Sequence, residues 1–298
     1  MKWDKGRRSD NVEDRRGIST GGRRSLGGKG TLSLGGIAII VLVGWLMGES
    51  PMQILNQIIG QSEMSAQSTQ TSQPSAPSSD DEQSREQVDF VKTILGDTED
   101  TWRQLLQQRG VHYTDPKLVL FSGGVDSGCG FASTATGPFY CPADHQVYLD
   151  LSFFDEMKQQ FSASGDFANA YVIAHEIGHH VQNELGISRK IQQLAQQGEP
   201  MKGATGLSVR QELQADCFAG VWAYHAQQRH HWLENGDVES ALNAANAIGD
   251  DRLQQQAQGR AVPDSFTHGT SQQRVNWFTR GLKSGDIDQC DTLSAQTL

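Results

Sequence analysis

Residues 167–185, FANAYVIAHEIGHHVQNEL, decide how this chain is read. Phe167, Ala170, Tyr171, Ala174, Gly178, Val181 and Leu185 recur at three- and four-residue spacing, which predicts an amphipathic helix. Asp166 suits its N-cap and Gly186 its stop. Inside it lies His175-Glu176-Ile177-Gly178-His179, an H-E-x-x-H. Four residues make a little over one turn, so His175 and His179 project from one face and can share a tetrahedral Zn²⁺. Glu176 points about 100° around the helix, where it can take a proton from an attacking water without itself binding metal.

Downstream, residues 207–226 (LSVRQELQADCFAGVWAYHA) form a second helical stretch, with Ser208 and Gln211 in a capping-box pattern at its start. Glu212 and Asp216 are spaced i and i+4 and share one face. On its own such a pair reads as an ordinary solvated acidic edge. After an H-E-x-x-H it supplies what the site lacks: Glu212 as third ligand, and Asp216 to accept the spare N–H of a ligand imidazole, that of His175.

Around this centre the elements fall into an order. Residues 85–109 read as a helix broken at Gly96, residues 117–122 and 146–151 as strands, and helices dominate from there on. That order predicts an α+β domain, mainly helical with a small mixed sheet. Cys129, Cys141, Cys217 and Cys290 are an even set, for which two disulfides are expected. Three pairings exist. Cys129 with Cys141 would close a short loop of small residues, leaving Cys217 with Cys290 to tie the tail to a helix; a four-thiolate zinc site is disfavoured by the absence of C-x-x-C pairs.

The 298 residues are 36% hydrophobic and 20% charged, a globular composition, and the net charge is −10. The charge is unevenly spread. Residues 1–30 hold nine basic and four acidic residues, whereas the remainder holds 16 basic and 31 acidic ones. An acidic domain of this kind excludes nucleic acid as its partner. Next to the basic arm, residues 32–48 (LSLGGIAIIVLVGWLMG) carry no charge; at 1.5 Å per residue they cover about 26 Å. They read as a transmembrane anchor over 31–48, with a cleaved signal peptide and a buried core helix as the other readings. Residues 49–87, rich in Ser, Gln, Thr and Pro, read as a flexible tether. The expected organisation is therefore a basic cytoplasmic arm (1–30), one anchor in contact with lipid, the tether, and a periplasmic catalytic domain over 88–298 of a bacterial inner-membrane protein.

Three stretches carry a resemblance to a known family: residues 137–150 (GPFYCPADHQVYLD), 175–182 (HEIGHHVQ) and 267–278 (THGTSQQRVNWF). HEIGHH followed by ELQAD looks like a gluzincin, and the chain resembles the bacterial neutral zinc metallopeptidase family. The resemblance implies a zincin-like domain behind one membrane span. It also implies one Zn²⁺ and peptidase activity by type of site, and the expected anchor places the protein or peptide substrates near the bilayer. A non-catalytic or latent zinc-binding protein acting through partners is the competing expectation. His268 and Arg274 resemble an H-P-x-x-x-x-R element that lies near the metal in related gluzincins, with Gly269 in place of the Pro. That implies an oxyanion donor in His268 and a brace for the acidic residues in Arg274, against a surface His and a structural Arg. Residues 125–151 would supply the edge strand that holds substrate. Tyr171 reads mainly as core, His180 as a packing or surface residue, and His230 with His231 as a surface pair.

Overall fold

The computed structural model describes residues 1–17, 79–160 and 165–298. The anchor expected at 31–48, and the tether as far as residue 78, lie outside these residues. Among the described residues no helix is long and apolar enough to cross a membrane.

In chain order the elements are β1 (Val12–Asp14), α1 (Ser79–Gln107), β2 (Lys117–Phe121), β3 (Gly124–Ser127), β4 (Gly130–Ser133), β5 (Phe139–Cys141) and β6 (Gln146–Asp150). The helices α2 (Ser152–Gln160), α3 (Asp166–Glu184), α4 (Ile187–Gln196), α5 (Leu207–His230), α6 (Asp237–Ala247), α7 (Asp250–Gln258) and α8 (Ser271–Ser284) follow. The α+β expectation, mainly helical with a small mixed sheet, describes this arrangement.

The sheet runs β1-β2-β6-β5, with β1, β2 and β6 parallel and β5 antiparallel on the edge, while β3 and β4 form a separate hairpin. Alternation explains why both faces of the central strands are apolar. Leu118, Leu120, Val147 and Leu149 join the main core with the helices, whereas Val119, Phe121 and Tyr148 pack with Val125 and Ala132 of the hairpin. α3 is buried along most of its length, His175, Glu176, His180 and Gln182 included. It lies against α5, which in turn lies against α8.

The amino-terminal residues depart from the expectation of a separate arm at 1–30. Residues 1–17 belong to the same compact unit as the chain from residue 81 onward. β1 pairs in parallel with β2, Val12 opposite Leu118 and Asp14 opposite Leu120. Arg7, which looked like a topology signal, lies 2.6 Å from Glu99 and 2.9 Å from Asp100, and Ser9 Oγ donates to Glu99 at 2.5 Å. Gly96 is where the arm crosses α1: a Cβ there would sit 2.7 Å from the Arg7 carbonyl oxygen. The glycine that predicted a break in the helix instead admits a second backbone, and α1 runs through it uninterrupted. A single membrane crossing between residues 17 and 79 would put β1 and β2 on opposite sides, so a cytoplasmic arm with a periplasmic domain does not fit this sheet.

The domain boundary at 88 also moves, because α1 begins at Ser79. Glu82, Gln83, Arg85, Glu86 and Gln87 are polar but unbranched, and such residues form helix readily when exposed. At α5 the helix starts at Leu207 after Gly206 with no side-chain cap, so Ser208 sits inside the first turn rather than capping it.

The two disulfides are Cys129–Cys141 and Cys217–Cys290, with Cα atoms 5.8 and 5.6 Å apart. α5 and α8 approach closely at a pair of glycines. A Cβ on Gly281 would lie 1.9 Å from the Cys217 carbonyl oxygen, and one on Gly220 would lie 2.1 Å from that of Phe278. This contact brings α8, and Arg274 on it, up to the face of α5 that carries Asp216.

Candidate metal centre

The i, i+4 pairs on α3 and α5 face one another. Donor atoms of His175, His179 and Glu212 lie within 4.8 Å of each other. His175 Nε2 is 3.1 Å from Glu212 Oε2, and His179 Nε2 is 3.5 Å from Glu212 Oε1.

What fixes those imidazoles is the partner of each second nitrogen. His175 Nδ1 is 2.8 Å from Asp216 Oδ1, so it carries the proton and donates to the carboxylate. His179 Nδ1 is 3.0 Å from Gln182 Oε1. The Gln182 amide cannot turn over, because its Nε2 donates to the Gln211 carbonyl at 2.7 Å and to Gln214 Oε1 at 3.1 Å. A fixed carbonyl oxygen makes His179 Nδ1 the donor. Both Nε2 lone pairs are therefore bare and converge on a carboxylate.

With both imidazoles neutral, two lone pairs and an anion face one another, an arrangement that calls for a cation, and the donor set His₂Glu suits Zn²⁺. The site's electrostatics say the same. Burial opposes charging His175, yet Asp216 and Glu212 outweigh it and pull its pKa up to about 10. His179 is raised by Glu212 against the same burial penalty. Burial pushes the Glu212 carboxyl up, but His179 and His175 dominate and hold it well below the usual carboxylate range.

Asp216 is fully buried and bound on several sides. Arg274 donates from Nε to Oδ2 and from Nη2 to Oδ1, both at 2.9 Å, and Tyr171 donates its hydroxyl to Oδ1 at 2.6 Å. Burial opposes ionising Asp216, but Arg274 and His175 overcome it and lower its pKa. Tyr171, read from sequence mainly as core, is fully buried and at the same time a member of this network.

Glu176 makes no contact of this kind with the other carboxylates. It lines the cleft that opens on the His residues, and burial raises its pKa against the pull of His175 and His179. The cleft has a volume of about 400 Å³, and its walls include Phe139, Tyr140, Phe153, Val172, Leu253 and His268. The edge strand β5 supplies Phe139 and Tyr140, within the segment expected to hold substrate.

His268 is half-exposed and does not contact the three ligands. Its Nδ1 is 3.2 Å from Asp250 Oδ1. Asp250 Oδ2 accepts from the backbone N–H groups of Thr267, His268 and Gly269 at 2.6, 2.6 and 3.2 Å, clamping the whole segment. Gly269 has φ of 87°, a conformation closed to the proline of the related element. The hydrogen bond to Asp250 raises the His268 pKa against burial.

Sequence reasoning missed Gln182 and Asp250. The first follows His179 at i+3 and could have been read as its partner. The second stands at a helix start after Gly249, a local signal that says nothing of its contact with a segment 17 to 19 residues on. His230 and His231 are both exposed, as expected, and His230 lies 2.9 Å from Asp97.

Comparison with known proteins then places the molecule. Residues 1–293 match the family described as "Putative neutral zinc metallopeptidase". The chain belongs to this family. It is 52% identical over 292 residues to YpfJ of Escherichia coli (strain K12), covering 98% of each chain, and that relative is described as uncharacterized. An uncharacterized protein of Mycobacterium tuberculosis (strain H37Rv) is 49% identical over 207 residues, which cover 66% of this chain and 67% of the relative. No solved structure matches. The family match begins at residue 1, in keeping with β1 belonging to the fold.

Proposed function

We propose that this member of the zinc metallopeptidase family is an endopeptidase that hydrolyses peptide bonds with Glu176 as general base. The observation that carries the reading is Glu176 itself: a carboxyl buried beside two histidines, taking no part in the ligand set, raised in pKa and open to a cleft. A site built only to staple the fold has no use for such a group.

His175, His179 and Glu212 would hold the ion. A zinc there supplies Lewis-acid polarisation of the scissile carbonyl and lowers the pKa of water toward ~7. Glu176 takes the proton of the attacking water and returns it to the leaving amine, a task suited to a carboxyl moved toward neutral pH. His268, oriented by Asp250, donates to the developing oxyanion from Nε2. Asp216, held by Arg274 and Tyr171, keeps the His175 ring in the tautomer that leaves Nε2 bare. β5 offers an edge to which an extended substrate can add as a strand, and Phe139, Phe153, Val172 and Leu253 suit an apolar side chain.

The two disulfides favour an oxidising compartment for the domain, and residues 1–17 share that compartment because they share its sheet. Residues 31–48 would contact the bilayer without parting the arm from the domain, so substrates would be exported or membrane proteins within reach of it. A thiol probe that cannot cross the membrane tests this in intact cells: Asp10→Cys and Gln255→Cys should label alike, and labelling of one alone would refute it.

The peptidase reading is tested by removing metal from the purified protein with a chelator and offering an unfolded polypeptide. Hydrolysis should cease and return on adding one equivalent of zinc. Cleavage unaffected by chelation would overturn it.

A further inference from the structure

α3 carries a second set of donors one residue further on. His180 and Glu184 are again i and i+4, and His145 comes to them from the turn between β5 and β6; donor atoms of the three lie within 4.8 Å of one another. The ring of His180 is fully buried, Glu184 half-buried and His145 exposed, so the group opens to solvent on one side.

The protonation of His180 follows from its neighbours. Its Nε2 is 2.7 Å from the Thr114 carbonyl oxygen, which can only accept, so Nε2 carries the proton. Nδ1 is then a lone pair, and the Tyr140 hydroxyl donates to it at 3.1 Å. Across the opening, His145 Nδ1 is 3.4 Å from Asn183 Nδ2, a long contact that gives way easily.

The turn that presents His145 is built rigidly. His145 has φ of 59°, the left-handed region that a non-glycine residue enters only where its surroundings enforce it. Asp144 accepts from Gly128 N at 2.6 Å, from Gln146 N at 3.2 Å and from the Tyr148 hydroxyl at 2.7 Å, and the Cys129–Cys141 disulfide ties the same turn to the hairpin. Two imidazoles and a carboxylate, one imidazole with a lone pair that only the Tyr140 hydroxyl occupies and another held at a strained position, are a donor set for a borderline divalent cation.

We propose that His145, His180 and Glu184 form a second zinc site, separate from the H-E-x-x-H centre, which fills in exchange for the hydrogen bond between Tyr140 and His180. The ion and the hydroxyl compete for one lone pair, His180 Nδ1. Tyr140 also lines the catalytic cleft, so filling the second site releases a hydroxyl in that wall. Zinc beyond one equivalent then alters hydrolysis without displacing the first ion.

Binding alone decides the matter, independently of any peptidase activity. Metal-free full-length protein is titrated with zinc against a chromogenic chelator. The wild type should take up two ions per chain, one more weakly than the other. His145→Gly keeps the left-handed backbone and removes a ligand, and should bind one. Glu212→Gln should weaken the first site and leave the second. Tyr140→Phe removes the competitor and should bind the second ion about 2- to 10-fold tighter, the worth of one hydrogen bond. The proposal is overturned by a wild type that binds one ion, by a His145→Gly protein that binds two, or by its binding none.

Discussion

His179 and His180 are neighbours on α3, and they meet opposite surroundings. Toward α5, His179 has one nitrogen fixed by Gln182 and the other left bare against Glu212. Toward β5, both nitrogens of His180 are already in use, by Thr114 and Tyr140. The difference teaches that spacing along a helix brings donors together, whereas the partner of each second nitrogen decides whether they are poised for metal or occupied by the fold. A strong site needs the second nitrogen held and the first free. A weaker one must exchange a hydrogen bond to open.

The largest expected effects concern what anchors each side. The α5 side is tied by Cys217–Cys290, which closes 73 residues, and the β5 side by Cys129–Cys141, which closes 12. Replacing the first pair by serine should destabilise the protein by about 4–5 kcal/mol and the second by about 3 kcal/mol, from loop entropy alone. Denaturant melts of the two variants check the order, and a larger loss for the Cys129–Cys141 pair would break the comparison. Next is Arg274→Ala, which leaves Asp216 charged and buried with only Tyr171 and His175 as donors. A loss of about 3–5 kcal/mol is expected by the same melts, and a loss under about 1 kcal/mol would mean that Asp216 does not depend on Arg274.

Gln182→Leu frees the His179 ring while keeping its volume. Zinc affinity at the first site should fall about 10- to 100-fold in a chelator competition, the usual cost of losing a group that orients a ligand. His180→Asn, one residue from a ligand, should leave that affinity unchanged.

How much of this could be read from sequence divides along the same line. His175, Glu176, His179, Glu212 and Asp216 were legible because one-turn spacing on a helix is a local pattern, and the structure brings these residues together. Gln182 was within the same stretch but carries no charge and no metal-ligand signature. Residues 1–17 were misread for a deeper reason. Their arginines are locally indistinguishable from a topology signal, and the partners of Arg7, Glu99 and Asp100, lie more than ninety residues away. Parallel pairing of β1 with β2 has no period in the sequence between them. Gly96 and Gly281 were likewise opaque, since a glycine that breaks a helix and one that admits another backbone look alike. The fold class survived these errors because most of the core is helical and sheet residues 117–121 and 146–150 alternate or run apolar in the usual way.

The smallest effect is a pH dependence on the His268 side of the cleft. Asp250 is lowered from its ordinary pKa, burial being outweighed by its hydrogen bonds to His268 and the backbone, so its contribution is present above about 4 and is lost as pH falls through the folded value. His268 is raised by Asp250, so its contribution is full below about 6.5 and is lost as pH rises through the folded value. The pair is therefore strongest between those two folded values. Because His268 is half-exposed, His268→Asn should cost no more than about 1 kcal/mol at pH 6 and less at pH 9, measured by denaturant melts at both. An equal cost at the two pH values would show that the ion pair contributes nothing.

The central claim is that Glu176 moves the proton at a zinc centre it does not help to build. Its most direct test is the rate of peptide-bond hydrolysis by wild type and Glu176→Gln, compared at equal measured zinc content. The account predicts full zinc occupancy in both and a rate lower by about 10²- to 10⁴-fold in the variant. Equal rates at equal zinc would contradict it.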